Sequence, residues 1–97
     1  MTSKERAYLI KEGSKLNPIF QFGKSGINPQ LTSAIKDALD ARELIKVAVL
    51  KNCDDDVREI ADIVSERTGS QVVNVIGKKI VLYKPDKDPE KRKFDVE

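Results

Sequence analysis

Histidine and tryptophan are absent from these 97 residues, and cysteine occurs once. Without histidine the commonest general base is gone, and with it the Ser-His and Cys-His dyads and most zinc sites. A single cysteine closes no internal disulfide, which points to a reducing compartment, the cytoplasm. No run of eighteen apolar residues is present to span a membrane, and the opening MTSKERAYLIKEG lacks the apolar stretch of a signal peptide. Asp54, Asp55 and Asp56 are not followed by the oxygens of an EF-hand loop, so they read as the acidic start of a helix and no metal site is expected. Cys53 has no base partner to activate it. Catalysis would fall to lysines and carboxylates alone, so the expectation is a non-enzyme with no cofactor and no small-molecule substrate.

What is plentiful is charge: Asp, Glu, Lys and Arg make up 35% of the chain. The net charge is only +2, yet it is unevenly spread. Residues 1–52 hold nine Lys/Arg against five Asp/Glu, whereas residues 53–83 hold four against six. A basic half beside an acidic half suits a protein with one surface for a polyanion. The length allows one domain, expected over residues 1–85. Residues 86–97 are charged and almost devoid of apolar side chains, which predicts a disordered tail.

Thr2 and Glu5 fit a capping box, predicting a helix over residues 3–15 that Asn17-Pro18 breaks. A short strand over 19–22 follows. Asn28 and Pro29 suit the N-cap and first turn of a second helix over 29–42, with Leu31, Ala34, Ile35, Ala38 and Leu39 at helical spacing. The β-branched run 44–50 predicts a strand with Ile45, Val47 and Val49 facing the core. Asp54 or Asp55 is expected to cap a third helix, striped by Val57, Ile60, Ala61 and Val64 and ended by Gly69. Strands over 71–76 and 80–84 are joined by Gly77-Lys78, a type II′ hairpin pattern. The order α-β-α-β-α-β-β predicts an α/β two-layer sandwich: three parallel strands, an antiparallel fourth, and all helices on one face. Gln21, Lys46 and Asn74 then fall on the open face, and Phe20 and Phe22 pack inward.

The segment with most chemistry in it is Phe20-Gln21-Phe22-Gly23-Lys24-Ser25-Gly26-Ile27-Asn28-Pro29. It reads as a strand, a tight GxxG loop tipped by lysine, and a capped helix start. Glycines three apart allow a sharp turn and close approach of another molecule. Loop amides, the positive helix end and the Lys24 ammonium would then face one spot, as an anion site requires. Lys11 and Lys15 in the first helix, and Lys46, Lys78 and Lys79 on or near the sheet, could extend this into a basic surface that follows a nucleic-acid backbone.

Three segments carry a wider resemblance: residues 16–27 (LNPIFQFGKSGI), 43–47 (ELIKV) and 73–85 (VNVIGKKIVLYKP). In that order and spacing the chain resembles the CRM domain (chloroplast RNA splicing and ribosome maturation), in its stand-alone bacterial YhbY-type form. The resemblance implies a fold similar to the C-terminal domain of bacterial translation initiation factor three, with a mixed sheet of strand order 1-2-4-3. It also implies an RNA-binding protein that associates with ribosomal RNA in precursors of the large ribosomal subunit, and a monomer is expected. The GxxG of the family maps onto Gly23, Lys24, Ser25 and Gly26, where Ser25 stands in place of a second basic residue common in the family. Two rival readings remain: a ribosome-associated protein-interaction module using the acidic third helix, and a nucleotide-binding enzyme. The latter is disfavoured by the missing Walker pattern and base.

Overall fold

The computed structural model describes residues 1–94 and contains eight elements. They are α1 (Ser3–Ser14), β1 (Phe20–Phe22), α2 (Pro29–Arg42), β2 (Leu44–Val49), α3 (Val57–Thr68), β3 (Gln71–Ile76), β4 (Lys79–Tyr83) and a 3-10 turn (Pro89–Lys91). The capping box forms at α1: the Glu5 amide donates to the Thr2 hydroxyl at 3.1 Å and the Thr2 amide to the Glu5 carboxylate at 2.9 Å. α2 begins at Pro29 because Asn28 Oδ1 takes the Leu31 amide at 2.8 Å. α3 is capped by Asp56, one or two residues later than expected. The delay has a local cause: a turn closed by the Cys53 amide on the Leu50 carbonyl runs through residue 53, and Asp56 is the acid directly before Val57. No helix among the described residues is long and apolar enough to cross a membrane.

The sheet has the order β1-β2-β4-β3, with β1 parallel to β2 and β4 antiparallel to both its neighbours. Gly77 sits at φ 56 and Lys78 does not, as a type II′ turn requires. A bulge at Val73 shifts the β3–β4 register between Val72 and Asn74. Arg6 Nη1 in α1 donates to the carbonyls of Val72 and Val73, at 3.2 and 2.9 Å, and so pins the helix to the bulge.

Two cores flank this sheet. Ile45, Val47, Val49, Ile80, Leu82 and Phe22 pack under Ile35 and Leu39 of α2 and Ile60, Ala61 and Val64 of α3, with Phe20 and Cys53 at the border. Leu44, Val73, Val81 and Tyr83 point the other way and pack under Leu9 of α1. The helices therefore do not share one face: α1 lies opposite α2 and α3, and the expected two-layer arrangement with an open second face is corrected to one that is half covered. The reason is topological. The right-handed crossover rule constrains α2 and α3, which link parallel strands, but not a helix that precedes the first strand. β4 is buried at Ile80, Val81, Leu82 and Tyr83, and a strand apolar on both sides needs cover on both sides. Gly13 lets α1 approach closely, since a Cβ there would lie 2.8 Å from Val81 Cγ1.

One residue, Glu43, links α2 to β2. It has φ 67, is 1% exposed, and joins three segments. Its amide donates to the Leu39 carbonyl, its carbonyl accepts from the Lys84 amide, and its Oε2 accepts from the Lys93 amide at 2.7 Å. The described part of the expected disordered tail is thus folded back on the body. Phe94 meets Tyr83 edge to face at 6.4 Å between ring centroids, and Arg92 Nε donates to the Asp86 carbonyl. Residues 95–97 lie outside the described residues.

Candidate nucleic-acid interface

Because β1, β2 and β3 run the same way, their carboxyl ends meet at one end of the sheet, where open α/β sheets tend to bind ligands. Three turns gather there: residues 23–26, residues 50–53 and the Gly77-Lys78 hairpin. The Leu50 amide donates to the Phe22 carbonyl at 2.8 Å, and the Val49 amide to the Lys78 carbonyl at 2.7 Å, so the turns are tied together through β2.

The GxxG loop is a tight turn closed by the Gly26 amide on the Gly23 carbonyl at 2.9 Å, with Lys24 and Ser25 exposed at its tip. Its two glycines have different reasons to be there. Gly26 lies at φ 64, and a Cβ on it would meet Asp55 Oδ2 at 2.8 Å, so the fold itself demands glycine. Gly23 has no positive φ, and a Cβ there would make only ordinary contacts, 3.6 Å from Asn52 Oδ1 and 3.7 Å from Leu50 Cδ1. Nothing in the fold requires Gly23. The anion site is less open than the motif suggests. The Gly26 and Leu31 amides are already used by Gly23 and Asn28, and Asp55 stands against the loop. The Lys24 ammonium and the tip of the turn are left as the anion-facing groups.

Of the other expected contact residues, Lys78 and Lys79 share this end of the sheet, about 10 Å or two strand spacings from the loop. Lys46 projects from the middle of β2 onto the second face, as do Gln21 and Asn74 on their strands. Lys15 lies at the end of α1 near the start of β1, away from the loop, and Lys11 is one turn before it. Lys15 Nζ donates to Glu12 Oε2 at 2.8 Å, and that hydrogen bond raises the lysine's pKa above its ordinary value. The nine residues therefore divide between the loop end and a region around Lys15 and Lys46. Two further cations went unnoticed in the sequence. Lys51 follows β2 as Lys24 follows β1, so parallel pairing sets it beside the loop. Arg42 ends α2 and lines one groove with Lys15 and Lys46.

The family model for the CRS1/YhbY (CRM) domain matches residues 1–84. The chain belongs to that family. Its similarity to other CRM-family proteins runs nearly end to end. A probable RNA-binding protein of Bacillus subtilis, YqeI, is 44% identical over 88 residues, covering 91% of this chain and 92% of the relative. An RNA-binding protein of Haemophilus influenzae is 28% identical over 91% of this chain and 89% of its own length. In structure, the chain is similar to the hypothetical protein SAV1595 of Staphylococcus aureus, solved in solution and described as a candidate RNA-binding protein. That match has a TM-score of 0.79 at 44% identity, covering 95% of this chain and 96% of the other. The shared CRM fold includes the 1-2-4-3 sheet.

Proposed function

We propose that this protein binds RNA without catalysing a reaction, gripping backbone phosphates with the exposed turn at residues 23–26 and the lysines around it. The observation that carries the reading is Gly23, a glycine with no conformational or packing need for one, beside an exposed Lys24. Close approach of a ligand backbone supplies the missing reason. The RNA-binding descriptions of its relatives point the same way. More narrowly, the RNA is ribosomal RNA in a precursor of the large subunit, and the protein assists assembly there as a cytoplasmic monomer. Contacts to phosphate position a protein and carry little base information, so recognition rests on RNA shape.

The test is titration of a labelled large-subunit rRNA fragment across a salt series. The log–log slope is expected between roughly −2 and −4, for about three to five phosphates neutralised. Lys24→Ala should weaken binding about tenfold with its melting temperature unchanged. Gly23→Ala should fold normally and also bind more weakly. A flat salt response, or wild-type binding by both variants, overturns the reading. Gly26→Asp is a poor probe, because φ 64 disfavours any side chain there and a second carboxylate would face Asp55 before any RNA is added.

A second reading rests on α3, where Ile63 is 38% exposed on a helix that also carries Glu59, Asp62 and Glu66. As a protein contact it would leave rRNA binding by the isolated chain weak and would be lost on Ile63→Lys.

A further inference from the structure

Two open grooves of similar size differ in how their charge is balanced. One, of about 370 Å³, holds Lys36, Lys84 and Lys87 together with Asp40 and Asp86, and the Lys84–Asp40 pair closes at 2.8 Å. The other, of about 340 Å³, lies where the chain passes from α1 to β1. Lys15, Arg42 and Lys46 line it with Asn17, above a floor that includes Ile19 and Leu44, and among the described residues no carboxylate lines it. Its cations come from three separate elements, so the tertiary fold, not a local basic run, brings them together. Glu12 holds Lys15, but neither Arg42 nor Lys46 has an ion-pair partner among the described residues. Arg42 and Lys46, like charges without a counter-charge of their own, cost free energy until an anion joins them. A planar guanidinium, an ammonium and an amide at one rim match the oxygens of a phosphate.

A polymeric anion fits better than a free one because the groove is not isolated. Ile19 at its floor and Gly23 at the GxxG loop are four residues apart along β1, about 13 Å at the rise of a strand. Between them lies the uncovered half of the second sheet face. At its border Lys46 opposes Val81, which α1 covers, and Lys79 opposes Ala48, which makes the two lysines diagonal neighbours. Gln21, Ala48, Asn74 and Ile76 complete that surface, and among the described residues no acidic one lies on it. We propose that the groove of Lys15, Arg42 and Lys46 is a second phosphate-contact site, engaged by the same RNA that meets the loop, with the backbone running across the bare half of the sheet between them. This rests on the RNA-binding reading above and adds to it a direction, a span and Arg42.

The experiment measures rRNA-fragment affinity and its salt slope for wild type, Arg42→Gln, the double variant Arg42→Gln/Lys46→Gln, and Lys24→Ala. Thermal melts confirm folding, and the single variant serves if Lys46 in its central strand proves structural. The double variant should bind roughly tenfold or more weakly, with the slope shallower by about two, and Arg42→Gln alone should lower it by about one. Combined with Lys24→Ala, the losses should multiply, since different phosphates are involved. A double variant that binds like wild type while Lys24→Ala is impaired overturns the groove and leaves the loop reading intact. Wild-type protein that binds no rRNA overturns both. The parallel arm titrates inorganic phosphate against the Asn17 and Lys46 amide resonances. Saturation there, with RNA affinity untouched by the variants, assigns the groove to a free anion and also overturns the proposal.

Discussion

The two faces of the sheet are built from neighbouring residues of the same strands, yet they are finished differently. One is closed by α2 and α3 over a core whose buried members are all apolar, from Phe22 through Leu39 to Leu82. The other has a smaller core of Leu9, Leu44, Val73, Val81 and Tyr83 under α1, bordered by Phe94, and beyond it the sheet is bare. A closed face contributes stability and offers a ligand only its helix exteriors. A half-covered face leaves strand side chains available, and here those are Gln21, Lys46, Lys79 and Ile76, the last 63% exposed. One side of the four strands is given wholly to packing, and the other combines a smaller core with accessible polar and basic side chains.

The largest test of this division is Gly13→Ala. In an exposed helix the change would stabilise by about 1 kcal/mol. Here the new methyl would sit 2.8 Å from Val81 Cγ1, a short branched side chain that is itself buried. A net loss of about 1–3 kcal/mol is expected by chemical denaturation. A more stable variant would mean that α1 is not seated on the second face and that the two faces are less alike than described.

An intermediate effect should follow removal of the tail. A chain ending at Pro85 loses the Phe94–Tyr83 contact and the Lys93 amide on Glu43. Glu43 Oε1 is already buried without a partner among the described residues, so losing the bond on Oε2 strips its carboxylate further until water enters. The expected cost is about 1–2 kcal/mol, or several degrees of melting temperature. A melt unchanged within error would return the tail to the dispensable segment its composition suggests. Burial, with the nearby Glu43 carboxylate second, pushes the Tyr83 phenol above its ordinary pKa. The Arg92 charge acts in the opposite direction and leaves with the tail, so the melt and not the phenol titration reads this contact.

The smallest effect belongs to the rim of the closed side. The hydrogen bond from Lys84 holds the Asp40 carboxyl below its ordinary pKa. Half of the Asp40 side chain is exposed, so Asp40→Asn should cost less than about 1 kcal/mol at pH 7. Since the folded pKa is the lower one, the contribution is present above about pH 4 and fades as pH falls through the folded value. Melts of both proteins should converge in that acid range. A difference that persists there would assign the effect to packing instead of charge.

Much of this could be read from residue order. α2 runs from Pro29 to Arg42 as expected, because an Asn cap, a proline at the first turn and an apolar stripe all mark the same helix. The hairpin turns where Gly77 stands, and α3 ends where Gly69 takes φ 71. The strand order and the sense of each strand also came out as expected, and what escaped were particular contacts between distant side chains and turns. The face chosen by α1 depends on Leu9 finding Val81 and on Arg6 finding the bulge carbonyls. The approach of Asp55 to Gly26 depends on two turns meeting at one sheet end. The isolated Glu43 gives no hint that it will anchor Lys93, fifty residues on.

Local patterns determined the elements, their order and the GxxG turn, because caps, periodicity and glycine conformations act within a few residues and need no partner. Only the tertiary structure decided which sheet face stayed bare and which cations share a groove. Those outcomes depend on packing and electrostatics between segments whose contacts exist only once the chain has closed.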